Sequence, residues 1–363
     1  MDFTVDDTIT ELTGLVRDMG EQLVTDDSLR ELDARFGPGT EAGGGDRETA
    51  RFHSRFWDEL VRAGVPAALA PERLGGAGLG VVGEALVLRE LGRVLAPVPL
   101  SASIRAAHLL DALGGCDPDL ADGVASGRLI AAVADGDAPE VDWAPIAYAY
   151  LRTMPDKLLM PGEFTVERTV PVDFSCAGIV TPEVFHTEPL HRDPAEFDAL
   201  RRRVHLAAHQ WGVVEAALER TAAYATTRHQ FGRPIGSFQA VAARLADGLI
   251  DVDAVRLSTL RAAYELDACS SEPAGRKLFA IEITPAARSA VASAHFWACD
   301  AGHRLAHSAV HIHGGVGLDR SEPAHRYFLA AKANEFRLGG ATRQLLDLGN
   351  VLATEGDPWE YSA

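Results

Sequence analysis

Basic charge is scarce in this chain: 34 Lys and Arg stand against 52 Asp and Glu, a formal net charge of −18. Nucleic-acid binding needs a basic surface that neutralises phosphates, so that class of partner is excluded, although a local basic cluster can still hold a coenzyme. Cysteine is scarce too. Cys116, Cys176, Cys269 and Cys299 lie far apart and fit no metal or redox spacing, which reads as four reduced thiols. His303, His307, His311 and His313 share a helical spacing without clear accompanying carboxylates, so no metal is expected. No apolar run is long enough to span a bilayer, and no N-terminal stretch joins a basic start to an apolar core; the expected location is cytoplasmic, away from membranes. What remains is a chain of 363 residues and 47% hydrophobic content, enough for a large core and two or three domains.

Apolar residues recur every three or four positions in 9–23, 52–63 and 81–94, with Gly-, Pro- and Asp-rich turns between them, which predicts an N-terminal α-helical domain over residues 1–125. The turn at 71–80 is too rich in glycine to be helical. From 126 to 192 the pattern shifts to short apolar runs at 130–133, 157–160, 164–166 and 177–180, bounded by Gly, Pro and Asp as strands are, and predicts a shortened middle β domain. Residues 193–363 read as a C-terminal helical bundle. Leu206, Val213, Leu218 and Tyr224 mark one amphipathic face there, and Leu245, Leu249, Val252, Val255, Leu257 and Leu260 another. An antiparallel four-helix arrangement with two wide apolar faces buries one face inside and sets the other against a neighbour. The expected fold is thus mostly α with a small central β domain.

Two motifs carry chemistry. Gly314, Gly315 and Gly317 follow His311-Ile312-His313 and have no Cβ, so the backbone there can take positive φ and bring N–H groups to a diphosphate or sugar; a plain tight turn is the other reading. Upstream, the helical patterns at 204–227 and 238–266 are joined by a turn that Gly232, Pro234 and Gly236 enforce. Arg228 stands in the last turn of the first helix, either as a cation favouring a helix C-terminus or as a fork of N–H donors aimed at a pyrophosphate. A second glycine turn follows at Leu338-Gly339-Gly340-Ala341-Thr342.

Residues 228–239 and 311–342 resemble the C-terminal helical domain of the acyl-CoA dehydrogenase family. The N-terminal part agrees in order: Trp57-Asp58-Glu59-Leu60, Ala63-Gly64, the run 71–80, Glu90-Leu91-Gly92-Arg93 and Pro97-Val98-Pro99. The resemblance implies FAD as cofactor and α,β-desaturation of an acyl-CoA as chemistry. Family dimers share each flavin, and the residues matching those that reach into the neighbour's FAD site are Arg228, Phe231, Gln239, His311, Gly314, Gly315 and Gly317. His311 stands where most relatives have Gln; imidazole can still hydrogen-bond.

The departures are informative. The chain has no counterpart of the Trp-x-Thr strand or of the Thr-Glu and Gly-Ser-Asp elements that grip the isoalloxazine ring in the family. Desaturation also needs a carboxylate to take the α-proton, and the two positions from which the family supplies it fall on Leu338 and Arg202, so no catalytic residue is expected. Glu335, Asp247 and Glu265 are the acids from which a relocated base would come. The triplet 201–203, all Arg, reads as a coenzyme A phosphate contact or as a solvated or interface cluster. Beside these departures, the runs 314–317, 323–329 and 338–341 resemble the smaller subunit of actinobacterial steroid side-chain acyl-CoA dehydrogenases, α2β2 assemblies with one FAD per pair. That implies a larger partner subunit holding most of the acyl-CoA. A self-sufficient homomeric flavoenzyme, with a relocated base or with oxygenase chemistry, and a non-catalytic scaffold without ligand are the alternatives.

Overall fold

A computed structural model describes residues 5–36, 50–114, 116–134, 140–153, 156–183, 192–270 and 281–355. Helix α1 (Asp7–Leu23) buries Ile9, Thr13, Val16 and Gly20 along one face. The Asp6 carboxylate caps it by accepting Thr8 N–H at 2.7 Å, and these Thr8 bonds hold the carboxyl below its ordinary pKa. Helices α2 (Asp26–Phe36), α3 (Ser54–Arg62) and α4 (Val65–Ala68) follow, and Phe56, Trp57 and Leu60 of α3 are fully enclosed. The glycine-rich stretch forms one 3-10 turn over Glu72–Leu74 and then an open path into α5 (Gly80–Val94). Helices α6 (Leu100–Leu113) and α7 (Pro118–Ala125) complete the N-terminal helices.

The middle segment forms two three-stranded sheets. Strands β1 (Ala131–Ala134), β3 (Ala149–Thr153) and β4 (Asp156–Leu159) make one, in the order β1-β3-β4. The other is β2 (Glu140–Asp142), β6 (Ala177–Pro182) and β5 (Phe164–Arg168), in the order β2-β6-β5. β1 runs parallel to β3, with Ala131 opposite Ala149; the other pairings are antiparallel. Both faces of the first sheet are covered. Ala131, Val133, Ala149 and Leu151 pack on Leu109, Leu110 and Val124, while Ala132, Ala134, Tyr150 and Leu159 pack with Val141 and Ala144. Four of the six strands overlap the runs seen in the sequence. β2 and β3 do not: β2 is a short acidic segment, and in β3 (Ala-Tyr-Leu-Arg-Thr) Arg152 and Thr153 cut the apolar run short.

The C-terminal helices are α8 (Arg192–Thr227), α9 (Gln239–Ser270), α10 (Pro285–His313), α11 (Ala324–Arg337) and α12 (Ala341–Glu355), with a hairpin of β7 (His229–Gln230) and β8 (Arg233–Pro234) after α8. α9 departs from its sequence reading. Val252 and Val255 are buried, but Leu249 and Leu257 are more than half exposed on the other side of the helix, together with Ile250. α12 likewise leaves Leu345 and Leu346 in the open. Among the described residues no helix is long and apolar enough to cross a membrane, and no group of three His, Cys, Asp or Glu is placed to hold a metal ion.

The chain divides into two units. The first comprises Met1–Glu84, Ala96–Arg202 and Ser270–Glu282; the second Ala85–Leu95, Arg203–Cys269 and Ile283–Ala363. The first contains a buried charge cluster. Arg105 grips Asp198 with two hydrogen bonds, 3.1 Å from Nε to Oδ1 and 2.6 Å from Nη2 to Oδ2, and Glu84 meets both Arg201 and His108 at 3.3 Å. Burial first, and then Arg201, pushes the His108 pKa below 6.5; Glu84 and Asp198 oppose this. His53, desolvated as the N-cap of α3, is also lowered. In each case the unfolded chain binds the proton more readily than the folded one. Stability is therefore fully present above pH ~6.5 and falls as the pH drops from there towards the folded-state pKa values. His108→Gln should flatten that acid-side slope in pH-dependent thermal melts; an unchanged slope contradicts the assignment.

In the second unit two glycines let helices cross at backbone distance. A Cβ on Gly92 would collide with the His209 carbonyl, and one on Gly212 with the Arg89 carbonyl, so α5 and α8 touch main chain to main chain. Around the crossing Arg93 binds Glu215 at 2.8 Å and Glu219 at 2.7 Å, Arg89 pairs with Glu90 and Glu215, and the Tyr327 hydroxyl donates to the Arg93 carbonyl at 2.9 Å. Burial works against the Arg93 charge, but the bonds from Glu219 and Glu215 outweigh it and raise the pKa. Thus Glu90-Leu91-Gly92-Arg93 is a structural motif: the glycine admits the helix and its neighbours pin it.

Candidate functional site

Helix α8 ends one turn after Tyr224, whose carbonyl accepts Arg228 N–H at 2.9 Å; the Arg228 carbonyl in turn accepts Ile235 N–H at 2.8 Å. Between these bonds β7 and β8 pair His229 with Pro234 and Gln230 with Arg233, leaving Phe231 and Gly232 as a two-residue turn. Both have positive φ, +53° and +79°. That is the backbone of a type I′ turn, which glycine takes freely and phenylalanine only at a cost of about 1–3 kcal/mol. Phe231 bears that strain while 92% exposed, so burial gains it nothing within this chain. Its ring meets Phe238, edge to face at 6.1 Å, and Phe238 is capped in turn by the Arg233 guanidinium at 4.2 Å.

At the end of α10, His311 is exposed in the last turn and Gly314 starts a 3-10 segment (Gly314–Leu318) with φ +66° and ψ −141°. The three glycines differ in what demands them. A Cβ on Gly317 would press on the Val310 carbonyl oxygen at 2.9 Å and on His313 Cβ at 3.0 Å. Gly314 needs its positive φ. At Gly315 neither applies, since its φ is not left-handed and a Cβ would meet nothing within 4 Å. The chain's own packing leaves that bare backbone unexplained.

The His313 ring stacks on Tyr224 with centroids 4.4 Å apart and planes 18° from parallel. This contact sets the end of α10 beside the end of α8, and so brings the Arg228–Phe231 hairpin and the glycine turn to the same end of the bundle. Gln239 is exposed at the first position of α9. Among the described residues the side chains of Arg228, Gln239 and His311 have no hydrogen-bond or ion-pair partner. One guanidinium, one amide, one imidazole and an open peptide turn suit a diphosphate with a nucleoside. The sequence reading set Tyr224 on an amphipathic face and His313 beside the glycine turn, but could not show the contact between them. Their signal was only that each lies within one turn of a motif.

Neither residue at the expected base positions is a carboxylate. Leu338 ends α11 with its side chain 3% exposed; its N–H donates to Asn334 O at 2.8 Å and its carbonyl accepts from Gln344 Nε2 at 2.6 Å. Gln344 is held from its other end by His295 at 3.0 Å. Arg202 is partly buried. Of the acids considered as substitutes, Glu335 is engaged by Lys332 at 2.5 Å and His303 at 3.2 Å, Glu265 meets Arg261 at 3.8 Å, and Asp247 is exposed. The thiols of Cys176 and Cys299 are both pushed up to about 12 by burial, which rules them out as nucleophiles or bases near neutral pH. Leu338→Glu should bury an uncompensated carboxylate and lower stability by about 3 kcal/mol or more. Thermal melts of that variant check this.

Residues 38–114 match the family model of the acyl-CoA dehydrogenase N-terminal domain and residues 199–352 that of the C-terminal domain. The chain belongs to the acyl-CoA dehydrogenase family, oxidoreductases that act on CH–CH bonds. Acyl-CoA dehydrogenase FadE27 of Mycobacterium tuberculosis is 38% identical, over 97% of this chain and 99% of that protein. Among solved structures, a chain of the ChsE4-ChsE5 complex from the same organism is 36% identical with a TM-score of 0.82, covering 98% of this chain and 99% of its own. A chain of a Tcur3481-Tcur3483 steroid ACAD variant is 30% identical with a TM-score of 0.81, covering 97% and 99%. The mostly helical fold with small sheets is the family's.

Proposed function

We propose that this chain is the base-less subunit of a heteromeric acyl-CoA dehydrogenase and completes the FAD site of a larger partner subunit. The observation that carries the reading is a contrast within one unit: unspent donors and an open glycine turn at the bundle end, against a buried leucine where the proton acceptor would stand. Arg228 binds the pyrophosphate as a fork of N–H donors, the peptides of Gly314–Leu318 approach it from the other motif, and Gln239 and His311 supply hydrogen bonds to the adenosine-diphosphate end. FAD, when bound, supplies the hydride acceptor for desaturation. The partner supplies the proton acceptor and the grip on the isoalloxazine ring.

Exposed apolar side chains at the same end, Phe231, Val316 and Leu318, fit a surface that another subunit covers. The similar ChsE4-ChsE5 and Tcur3481-Tcur3483 structures are each named as assemblies of two components, and the second as a steroid ACAD. On that likeness the substrate class proposed here is a steroid side-chain CoA thioester. Assayed alone with FAD, an acyl-CoA panel including such thioesters, and an artificial electron acceptor, the chain should show no dehydrogenation; the complex isolated with its partner should. Turnover by the chain alone overturns the reading in favour of a self-sufficient enzyme.

A further inference from the structure

Resting on the reading just given, we propose that Tyr224 and His313 are positioning residues for the cofactor's adenosine-diphosphate end, their stacked rings fixing the hairpin after α8 and the turn after α10 in mutual register. Each half of the site is anchored to one of the two rings. Tyr224 carries the hairpin, because its carbonyl accepts Arg228 N–H at 2.9 Å and Arg228 in turn ties down Ile235 at 2.8 Å. His313 carries the glycine turn, because the bare Cα of Gly317 folds back onto the Val310 carbonyl and His313 Cβ. The 4.4 Å stack joins these two assemblies.

The imidazole is itself held. His313 Nδ1 lies 2.8 Å from the Ala309 carbonyl, and only an N–H can pair with a carbonyl, so the proton of the neutral ring sits on Nδ1 and the ring plane is fixed against α10. Tyr224, by contrast, uses only its ring: among the described residues its hydroxyl has no hydrogen-bond partner. Both rings are only partly buried, so filling the bundle interior does not account for the stack. Preorganisation does. Two motifs that must meet one rigid ligand bind it more tightly when their separation is set beforehand.

The test is an FAD titration of the apocomplex, purified from its own host through a tag on this chain and stripped of flavin. Tyr224→Ala and His313→Ala should each weaken FAD binding about two- to tenfold, the range expected for loss of one aromatic pair. The double variant should be little weaker than either single one, Tyr224→Phe should bind as the unsubstituted complex does, and the melting temperature of the apocomplex should fall by no more than the loss of one surface ring pair allows, without following the affinity from variant to variant. Three results overturn the inference: unchanged FAD affinity in both alanine variants, Tyr224→Phe as weak as Tyr224→Ala, or an affinity loss that tracks a lowered apocomplex melting temperature. Arg228→Ala, run alongside, separates the two levels. If it weakens FAD binding while the ring variants do not, only the positioning role falls; if it too leaves FAD binding unchanged, the site-completing function falls.

Discussion

Arg228→Ala in the assembled complex is expected to weaken FAD binding by about 1.5–3 kcal/mol, roughly 10- to 150-fold in Kd. The guanidinium is exposed and, among the described residues, unpartnered. Its service to the fold is limited to a cation near a helix C-terminus, worth a few tenths of a kcal/mol, about 0.3. The two roles thus differ by several-fold in size and also in where they are measured. A cofactor contact shows in flavin titrations with the apocomplex melting unchanged; a capping cation shows in melting alone. Arg228→Lys keeps the charge but loses the planar fork, so it should recover only part of the affinity. Full FAD affinity in Arg228→Ala would support the scaffold alternative.

The second large effect concerns stability. Asp198→Ala should destabilise the chain by about 3–5 kcal/mol, because it strands the Arg105 guanidinium, 4% exposed, without its bidentate carboxylate. The pair itself adds much less than that loss suggests, since taking both ions out of water offsets most of their attraction. Arg105→Met combined with Asp198→Leu should accordingly recover most of the stability. Denaturant melts of the single and double variants distinguish a costly orphan charge from a strongly stabilising pair; equal losses in the two would contradict this.

Much of this fold was legible because its helices show one face at a time. The apolar spacing at 9–23 and 81–94 yields α1 and α5 nearly to the residue. It failed where polar residues cut a buried strand short, as Arg152 and Thr153 do in β3, and where a helix is apolar on both sides. In α9 the sequence places Leu249 and Leu257 with Val252 and Val255, yet packing turns the valines inward and leaves the leucines out. Periodicity cannot choose between two apolar faces; the neighbouring helices do. The candidate site divides in the same way. Arg228, Phe231, Gln239, His311 and the glycines stand out through the resemblance to the family, and the strained φ of Phe231 adds a reason the sequence cannot show. The Tyr224–His313 stack and the hold of His295 on Gln344 join residues far apart in the chain. Only tertiary structure could reveal them.

The most direct measurement is the flavin-to-protein ratio of the chain purified alone and of the same chain purified with its partner. A shared site predicts almost no FAD on the isolated chain and one FAD for each pair of unlike subunits in the complex. A full complement of FAD on a homodimer of this chain, with one of its own carboxylates beside the flavin ring, would contradict it.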